Sequence, residues 1–276
     1  MLRKFKINEV QDIKKHIVNI CFYAIISIGS GNMGEKYALV TGASKGIGEA
    51  IAKRLAKSNY NIIISYNTDD VNAKRIKQEI ESETHVKVMI IKCDISNEKD
   101  ILNMHDEVIK KYGRLDCLVN NAAMCSDNYF YDKTKEEFDK IIQTNLTGTF
   151  MMCKIFGNSM LNNKHGKIIN ISSTNGIDTN ETYSMDYDAS KAGIISLTKN
   201  FAKALAPYIT VNSVAPGWTN TTSVKEMEPK YIEREKEKIL LRRFAEPCEI
   251  ANVVNFLASE EASYINGEVI RVDGGY

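Results

Sequence analysis

The chain has 276 residues, 43% hydrophobic and 26% charged, enough for one large core and unlike a disordered or fibrous sequence. Its 36 Lys and Arg against 35 Asp and Glu leave a net charge of +1, which gives no footprint for a nucleic-acid backbone and favours a small-molecule partner. Six scattered cysteines with no CxxC pair, and four histidines remote from them in sequence, indicate neither a metal site nor a disulfide framework and suit a reducing cytosol.

Lys14, Lys15 and His16 precede an apolar run at 17–28, broken only by Asn19 and Ser27. That run falls short of the about 20 residues a membrane span needs, though it fits a secretory apolar region. The chain behind it reads as cytosolic. The globular pattern starts at Glu35, just after Met33 in the stretch GSGNMG. Met33 is therefore the expected natural start, with residues 1–32 either a mis-assigned upstream extension or a loosely packed tail, and 33–276 one domain.

From Lys36 onward, short apolar runs alternate with stretches of helical periodicity. Strands are expected at 37–40, 61–65, 87–93, 116–120, 167–172, 209–214 and 268–272. Between them, Ile47, Ile51 and Leu55, then Ile76 and Ile80, and later Ile194, Leu197, Phe201 and Leu205 recur at helical spacing and read as core stripes. The charged stretch 225–238, KEMEPKYIEREKEK, reads as a solvated helix with charge pairs one turn apart, in a position that also suits a mobile lid. Seven strands alternating with helices predict an α/β fold, a doubly wound parallel sheet flanked by helices on both faces.

The first strand runs into TGASKGIG. Gly42, Gly46 and Gly48 allow a tight turn and close approach to a phosphate, and a helix opening near Gly46 would aim its free amides at a pyrophosphate. Ser44, Lys45 and Ile47 complete this expected cofactor-binding loop; a purely structural turn is the alternative. A 2′-phosphate wants a cation, whereas a free ribose wants a carboxylate at the end of the second strand. Here Lys45 sits in the glycine loop and Tyr66 and Asn67 end the strand, which points to NADP(H). Asp69 and Asp70 lie close enough to leave the register open.

The loop's spacing is TGxxxGxG rather than GxGxxG. It is followed in order by Asp94, NNAA at 120–123, NLTG from Asn145, Ser173, YDASK from Tyr187 and PGWTNT from Pro216. Over residues 36–276 the chain thereby resembles the short-chain dehydrogenase/reductase family, which implies a Rossmann-type fold. The resemblance further implies that Asp94 and Ile95 contact the adenine, Asn121 the adenosine ribose region and Thr219 the nicotinamide carboxamide. It implies a catalytic tetrad of Asn145, Ser173, Tyr187 and Lys191, with the last two also touching cofactor. Ala123 departs from the family's more usual glycine.

Tyr187 and Lys191, four apart, share a helix face, and a nearby ammonium stabilises a phenolate whose usual pKa is about 10. Such an acid suits carbonyl reduction, in which a proton must reach oxygen as hydride reaches carbon. The spacing alone is a poor detector, since Tyr129 with Lys133 and Tyr131 with Lys135 repeat it. Those two fall in the polar stretch FYDKTK, so their lysines are expected to be exposed. Ser172 and Ser173 compete for the substrate-binding serine; Ser173 fits SxxG with Gly176, while Ser172 can satisfy backbone groups at the strand end. The 14 positions from Ser173 to Tyr187 imply an inserted residue in the intervening loop. Asn145 is either the tetrad member that holds a water beside the lysine or an interior helix Asn bonded locally. Tyr183 has no lysine one turn on.

Within the family the chain is most similar to 3-oxoacyl-acyl-carrier-protein reductases of fatty acid synthesis, through ITVNSVAPG and RRFAEPCEIANVVNFLAS. This implies an NADPH-dependent, cytoplasmic carbonyl reductase with an acyl-thioester substrate, acyl-carrier protein as partner, no membrane and no nucleic acid. Because that carrier is acidic, basic residues should flank the mouth; Lys164 and Lys167 are candidates, while APY before Ile209 lacks the expected cation. The alternatives are a reductase of a sugar, steroid or small ketone, and a non-catalytic NADP(H)-binding regulator, whose mark would be a broken tetrad. A homotetramer is implied by resemblance, with long helices at 146–161 and 187–206. Their Met151, Met152, Ile155 and Phe156 cluster can equally be core.

Overall fold

The computed structural model describes residues 34–276. The apolar run at 17–28 and the expected start at Met33 lie outside the described residues. No helix among the described residues is long and apolar enough to cross a membrane.

In β1 (Lys36–Thr41), Ala38 and Val40 face one apolar layer while Tyr37 and Leu39 face the other. A strand buried on both sides belongs inside a parallel sheet. β2 (Tyr60–Tyr66), β4 (Cys117–Asn120) and β5 (Gly166–Ile171) share this character. With β3 (Val88–Lys92), β6 (Ile209–Pro216) and β7 (Val269–Val272) they form a seven-stranded parallel sheet in the order β3-β2-β1-β4-β5-β6-β7. The expected Rossmann-type doubly wound α/β fold is therefore present, each strand within two residues of its expected bounds.

The helices are α1 (Gly46–Ala56), α2 (Asp70–Glu83), α3 (Glu98–Tyr112), α4 (Lys135–Ile141), α5 (Gly148–Asn163), α6 (Met185–Ala204), α7 (Thr222–Lys225), α8 (Pro229–Lys238) and α9 (Pro247–Ala258). On one face Ile51, Ile76 and Val254 of α1, α2 and α9 pack against Val40 and Ile64. On the other, Met104 and Phe156 of α3 and α5 pack against Leu39 and Leu118. Each fully buried side chain of this kind contributes about 1.5–3 kcal/mol.

Three expectations change in detail. Ile47, Leu197 and Phe201 are half-buried rather than core. Met152 and Phe156 are fully buried, whereas Met151 and Ile155 stay partly accessible, so that cluster divides between core and surface. The charged stretch is not one solvated helix, because Pro229 opens a new helix and Glu235 is buried, accepting from Lys238 and the Tyr276 hydroxyl. Its pairs Lys236–Glu233 and Lys238–Glu235 do lie one turn apart.

From β1 the chain order runs outward to β2 on one side and to β4 on the other. The carboxyl ends of β1 and β4 thus open a crevice, where an α/β sheet characteristically takes its ligand.

Candidate active site

At the end of β1, Gly42 adopts φ +62°, and a Cβ there would stand 2.9 Å from Ala122 Cα beyond β4. A Cβ on Gly48 would meet Asn121 Nδ2 and the Gly42 carbonyl at 2.5 Å. Only glycines let loop, strand and helix close together here. Gly46, at φ +59°, is different: its nearest neighbour would be the Thr221 methyl at 3.4 Å, so a side chain would project into the crevice. A cleft of about 760 Å³ follows, lined by Gly42, Ser44, Lys45, Gly46, Ile47 and Gly48 along the loop. Asn67, Asp94, Ile95 and Asn121 continue the lining. An open backbone cradle at a helix N-terminus, extended by this long cleft, fits a dinucleotide.

Local bonds hold these residues. Asn121 Nδ2 donates to the carbonyls of Thr41 (2.9 Å) and Gly42 (3.2 Å), bracing the glycine loop. Although burial pushes the Asp94 carboxyl up, hydrogen bonds from Ser96 and Asn67 hold it below the usual range. β2 ends at Tyr66, so Asn67 is the first residue beyond the strand, and it lines the cleft. Asp69 instead caps α2, accepting from Asn72 N at 3.1 Å and Asn72 Nδ2 at 2.8 Å. Lys45 lines the same cleft and is exposed.

A second cleft of about 370 Å³ shares Ile47, Asn121, Ala123 and Thr221 with the first. Ser173, Tyr187, Lys191 and Thr219 meet there. Ser172 is occupied elsewhere: its hydroxyl donates to the Val214 carbonyl (3.1 Å) and accepts from Ser213 (2.7 Å). Ser173 caps a 3-10 turn, Thr174–Gly176, accepting from Asn175 N. That turn packs hard on α6, since a Cβ on Gly176 would lie 2.6 Å from Lys191 C and Ala192 N. The SxxG spacing thus brings the serine to the helix that carries Tyr187.

Lys191 Nζ donates to the Ile171 carbonyl at 2.8 Å and lies 5.4 Å from the Tyr187 ring centroid. Burial pushes Lys191 down to about 8. Burial also pushes the Tyr187 phenol well above its usual value, with Cys125 adding to the rise and a Ser173 hydrogen bond opposing it. Desolvation, rather than the neighbouring ammonium, therefore dominates the phenol and keeps it protonated.

Asn145 sits, fully buried, in a π-helical segment, Ile142–Thr147, between α4 and α5. Its Oδ1 accepts from Met124 N at 2.8 Å, and its Nδ2 donates to the Met124 carbonyl (2.8 Å) and Ser190 Oγ (3.1 Å). Ser190 in turn donates to the Tyr187 carbonyl at 2.7 Å. Neither an ordinary helix Asn nor a free amide describes it, and nothing in NLTG signals a π turn.

Two placements differ from expectation. Lys135 is exposed, but the Lys133 side chain is 5% exposed and its ammonium pairs with buried Asp186. The polar stretch concealed this because the partner lies 53 positions away. Lys164 and Lys167 flank the start of β5, while Ser173 follows its end, and Lys167 is buried. At about 3.3 Å per residue a full strand separates them from the cleft, so neither flanks the mouth. Sequence reasoning also passed over Glu181 and Trp218, which line the cleft, and Asp188 behind them, which accepts from Glu181 N; for Asp188 the acid on each side of Tyr187 in MDYDASK was the available signal.

A family model described as enoyl-(acyl carrier protein) reductase matches residues 42–276. The 3-oxoacyl-(acyl-carrier-protein) reductase FabG of Aquifex aeolicus is 39% identical over 241 residues, 87% of this chain and 96% of that protein. FabG of Thermotoga maritima is 36% identical over 243 residues, 87% and 97% of the two chains. Among solved structures, a short-chain alcohol dehydrogenase from Sinorhizobium meliloti 1021 superposes with a TM-score of 0.83 at 32% identity, covering 87% of this chain and 96% of that one.

Proposed function

The chain belongs to the short-chain dehydrogenase/reductase family of oxidoreductases, and we propose that it is an NADPH-dependent, cytoplasmic 3-oxoacyl-acyl-carrier-protein reductase, its working unit residues 33–276. The observation that carries this reading is the meeting of Ser173, Tyr187 and Lys191 in a cleft continuous with the glycine cradle.

Bound NADPH supplies the hydride. Gly42, Ser44, Gly46, Ile47 and Gly48 hold the diphosphate, Lys45 and Asn67 the 2′-phosphate, and Asp94 and Ile95 the adenine. Asn121 supports the ribose side, and Thr219 the carboxamide. Ser173 donates a hydrogen bond to the carbonyl oxygen, polarising it. Tyr187 then delivers its proton to that oxygen. Lys191 holds ribose and steadies the phenolate left behind, while Asn145 fixes the Met124 backbone beside them. For the carrier protein, exposed Lys225 lies between Val224 and Met227, two residues that line the cleft.

A compact polar ketone, such as a sugar-derived one, is the second reading, favoured by Asp127, Asn175 and Glu181 on the cleft walls. A panel of 3-oxoacyl thioesters, sugars and steroid ketones, each with NADPH and NADH, separates the two. Activity confined to small free ketones would overturn the acyl reading. Tyr187→Phe should bind NADPH yet lose turnover; wild type that binds NADPH and reduces no carbonyl would leave a regulator.

A further inference from the structure

The first turn of α6 carries an aspartate on each side of Tyr187, and neither enters the chemistry above. Asp186 is 0% exposed and Asp188 5%. A plain role exists for both, because the first turn of a helix favours carboxylates, and Asp186 does accept from Tyr187 N at 2.9 Å. Their other partners, however, come almost entirely from outside the helix.

Asp186 takes the Lys133 ammonium on both oxygens at 2.9 Å, and that ammonium also donates to the Ser126 carbonyl at 2.7 Å. Lys133 thereby ties segment 124–133, whose Cys125 and Asp127 form one wall of the second cleft, to the residue before Tyr187. Asp188 accepts from Asn175 Nδ2 (2.9 Å) and Ser184 Oγ (3.0 Å) on one oxygen and from Glu181 N (2.8 Å) on the other. Those donors span segment 175–184, the facing wall. The walls also touch directly, Asn128 N donating to the Tyr183 carbonyl at 3.0 Å.

Apolar burial does not hold the first wall. Tyr129, Phe130 and Tyr131 are 61%, 63% and 68% exposed, so the segment's aromatic side chains face solvent. Polar ties are what remain: the Asn145 clamp on Met124 at one end, Asn128 N on the Tyr183 carbonyl between, and Lys133 at the other end. In the second wall Ile177 is likewise 40% exposed.

We propose that Asp186 and Asp188 are positioning residues that set the width of the substrate cleft by tying its two walls, segments 124–133 and 175–184, to the first turn of α6. The proposal rests on the second cleft being the carbonyl site, as argued above. It assigns carbonyl affinity, far more than cofactor affinity, to these two carboxylates, since of the two segments only Met124 lines the first cleft, while Cys125, Asp127, Asn175, Thr179, Glu181 and Tyr183 line the second.

The test compares wild type, Asp188→Ala and the double variant Lys133→Met/Asp186→Asn, which removes both charges and leaves no lone buried ion. Backbone amide exchange, NADPH titration and steady-state kinetics with a 3-oxoacyl thioester are measured on each full-length protein. Asp188→Ala should speed exchange across 175–184 and not 124–133, and the double variant the reverse. Carbonyl KM should rise about tenfold in both while NADPH Kd stays within about twofold. Exchange that changes evenly along α6, or unchanged KM with a lowered Tm, would make the carboxylates ordinary helix stabilisers and overturn the proposal. Wild type that reduces no carbonyl would sink the reductase reading alone, and the segment-specific exchange pattern would still decide the anchoring.

Discussion

Gly176→Ala tests the packing that brings the catalytic turn to α6. An added Cβ would stand 2.6 Å from Lys191 C and Ala192 N and 2.8 Å from the Lys191 carbonyl oxygen. Ordinary carbon–carbon contact is about 3.5 Å, so turn and helix must separate by about 0.9 Å. All three atoms are backbone and cannot rotate aside. Lys191 is otherwise fixed by its 2.8 Å bond to the Ile171 carbonyl, so the shift is shared between Ser173 and the Tyr187–Lys191 pair. A misplacement near 1 Å among reacting groups costs about 10²-fold in rate. The expected result is a fall of about that size in kcat/KM for a 3-oxoacyl thioester, with NADPH Kd rising less because the glycine cradle is untouched. Stopped-flow oxidation of NADPH measures the first and fluorescence titration the second. A variant within twofold of wild type in kcat/KM would refute the claim that this contact aligns the site.

Lys45→Ala should raise NADPH Kd about tenfold and leave NADH Kd unchanged, by titration of both, as expected for loss of one phosphate-binding cation; equal effects on both cofactors would remove Lys45 from 2′-phosphate recognition. Burial sets Lys191 at about 8 in the folded chain, against about 10.4 for a free lysine. Between those values the unfolded chain binds more protons, so this group's penalty on folding is full below pH about 8 and fades as pH rises toward about 10.4. Turnover, which uses the ammonium, should fall across the same rise, and a kcat/KM profile flat from pH about 7 to about 10 would refute the assignment. We further propose a homotetramer through the outer face of α5 and α6, where Phe150 is 39% exposed and stands 5.9 Å from the Phe201 ring. Phe150→Asp should lower the mass seen by light scattering with little loss of Tm per chain, and an unchanged mass would exclude that face.

Local rules made the fold and the cofactor half of the site legible. β1 announces itself by an apolar run that ends in TGASKGIG, and that glycine spacing is readable as a pattern even though the contacts that need it, Gly42 past Ala122 and Gly48 past Asn121, lie far along the chain. β1, β2, β4 and β5 followed because a doubly buried strand has no polar face to disguise it. Between Ser172 and Ser173 the SxxG spacing was the local guide, and Ser172 is occupied by bonds to Val214 and Ser213 on the neighbouring strand.

The substrate half carries no such pattern, and that is why it was read least well. Its walls are polar segments whose positions are set by partners far along the chain, Lys133 on Asp186 across 53 positions and Asn145 on Met124 across 21. A lysine inside FYDKTK looks solvated by every local criterion, and only the fold supplies the buried carboxylate that takes it in. The same logic separates the Tyr129–Lys133 pair from the Tyr187–Lys191 pair. In one, Lys133 turns away from Tyr129 toward Asp186; in the other, Lys191 stays beside Tyr187 because the Ile171 carbonyl holds it there. Both lysines thus converge on the first turns of α6, one fixing a cleft wall and the other the proton donor. A single helix start can therefore align the chemistry and the shape of the site at once, provided the acids flanking Tyr187 remain in place.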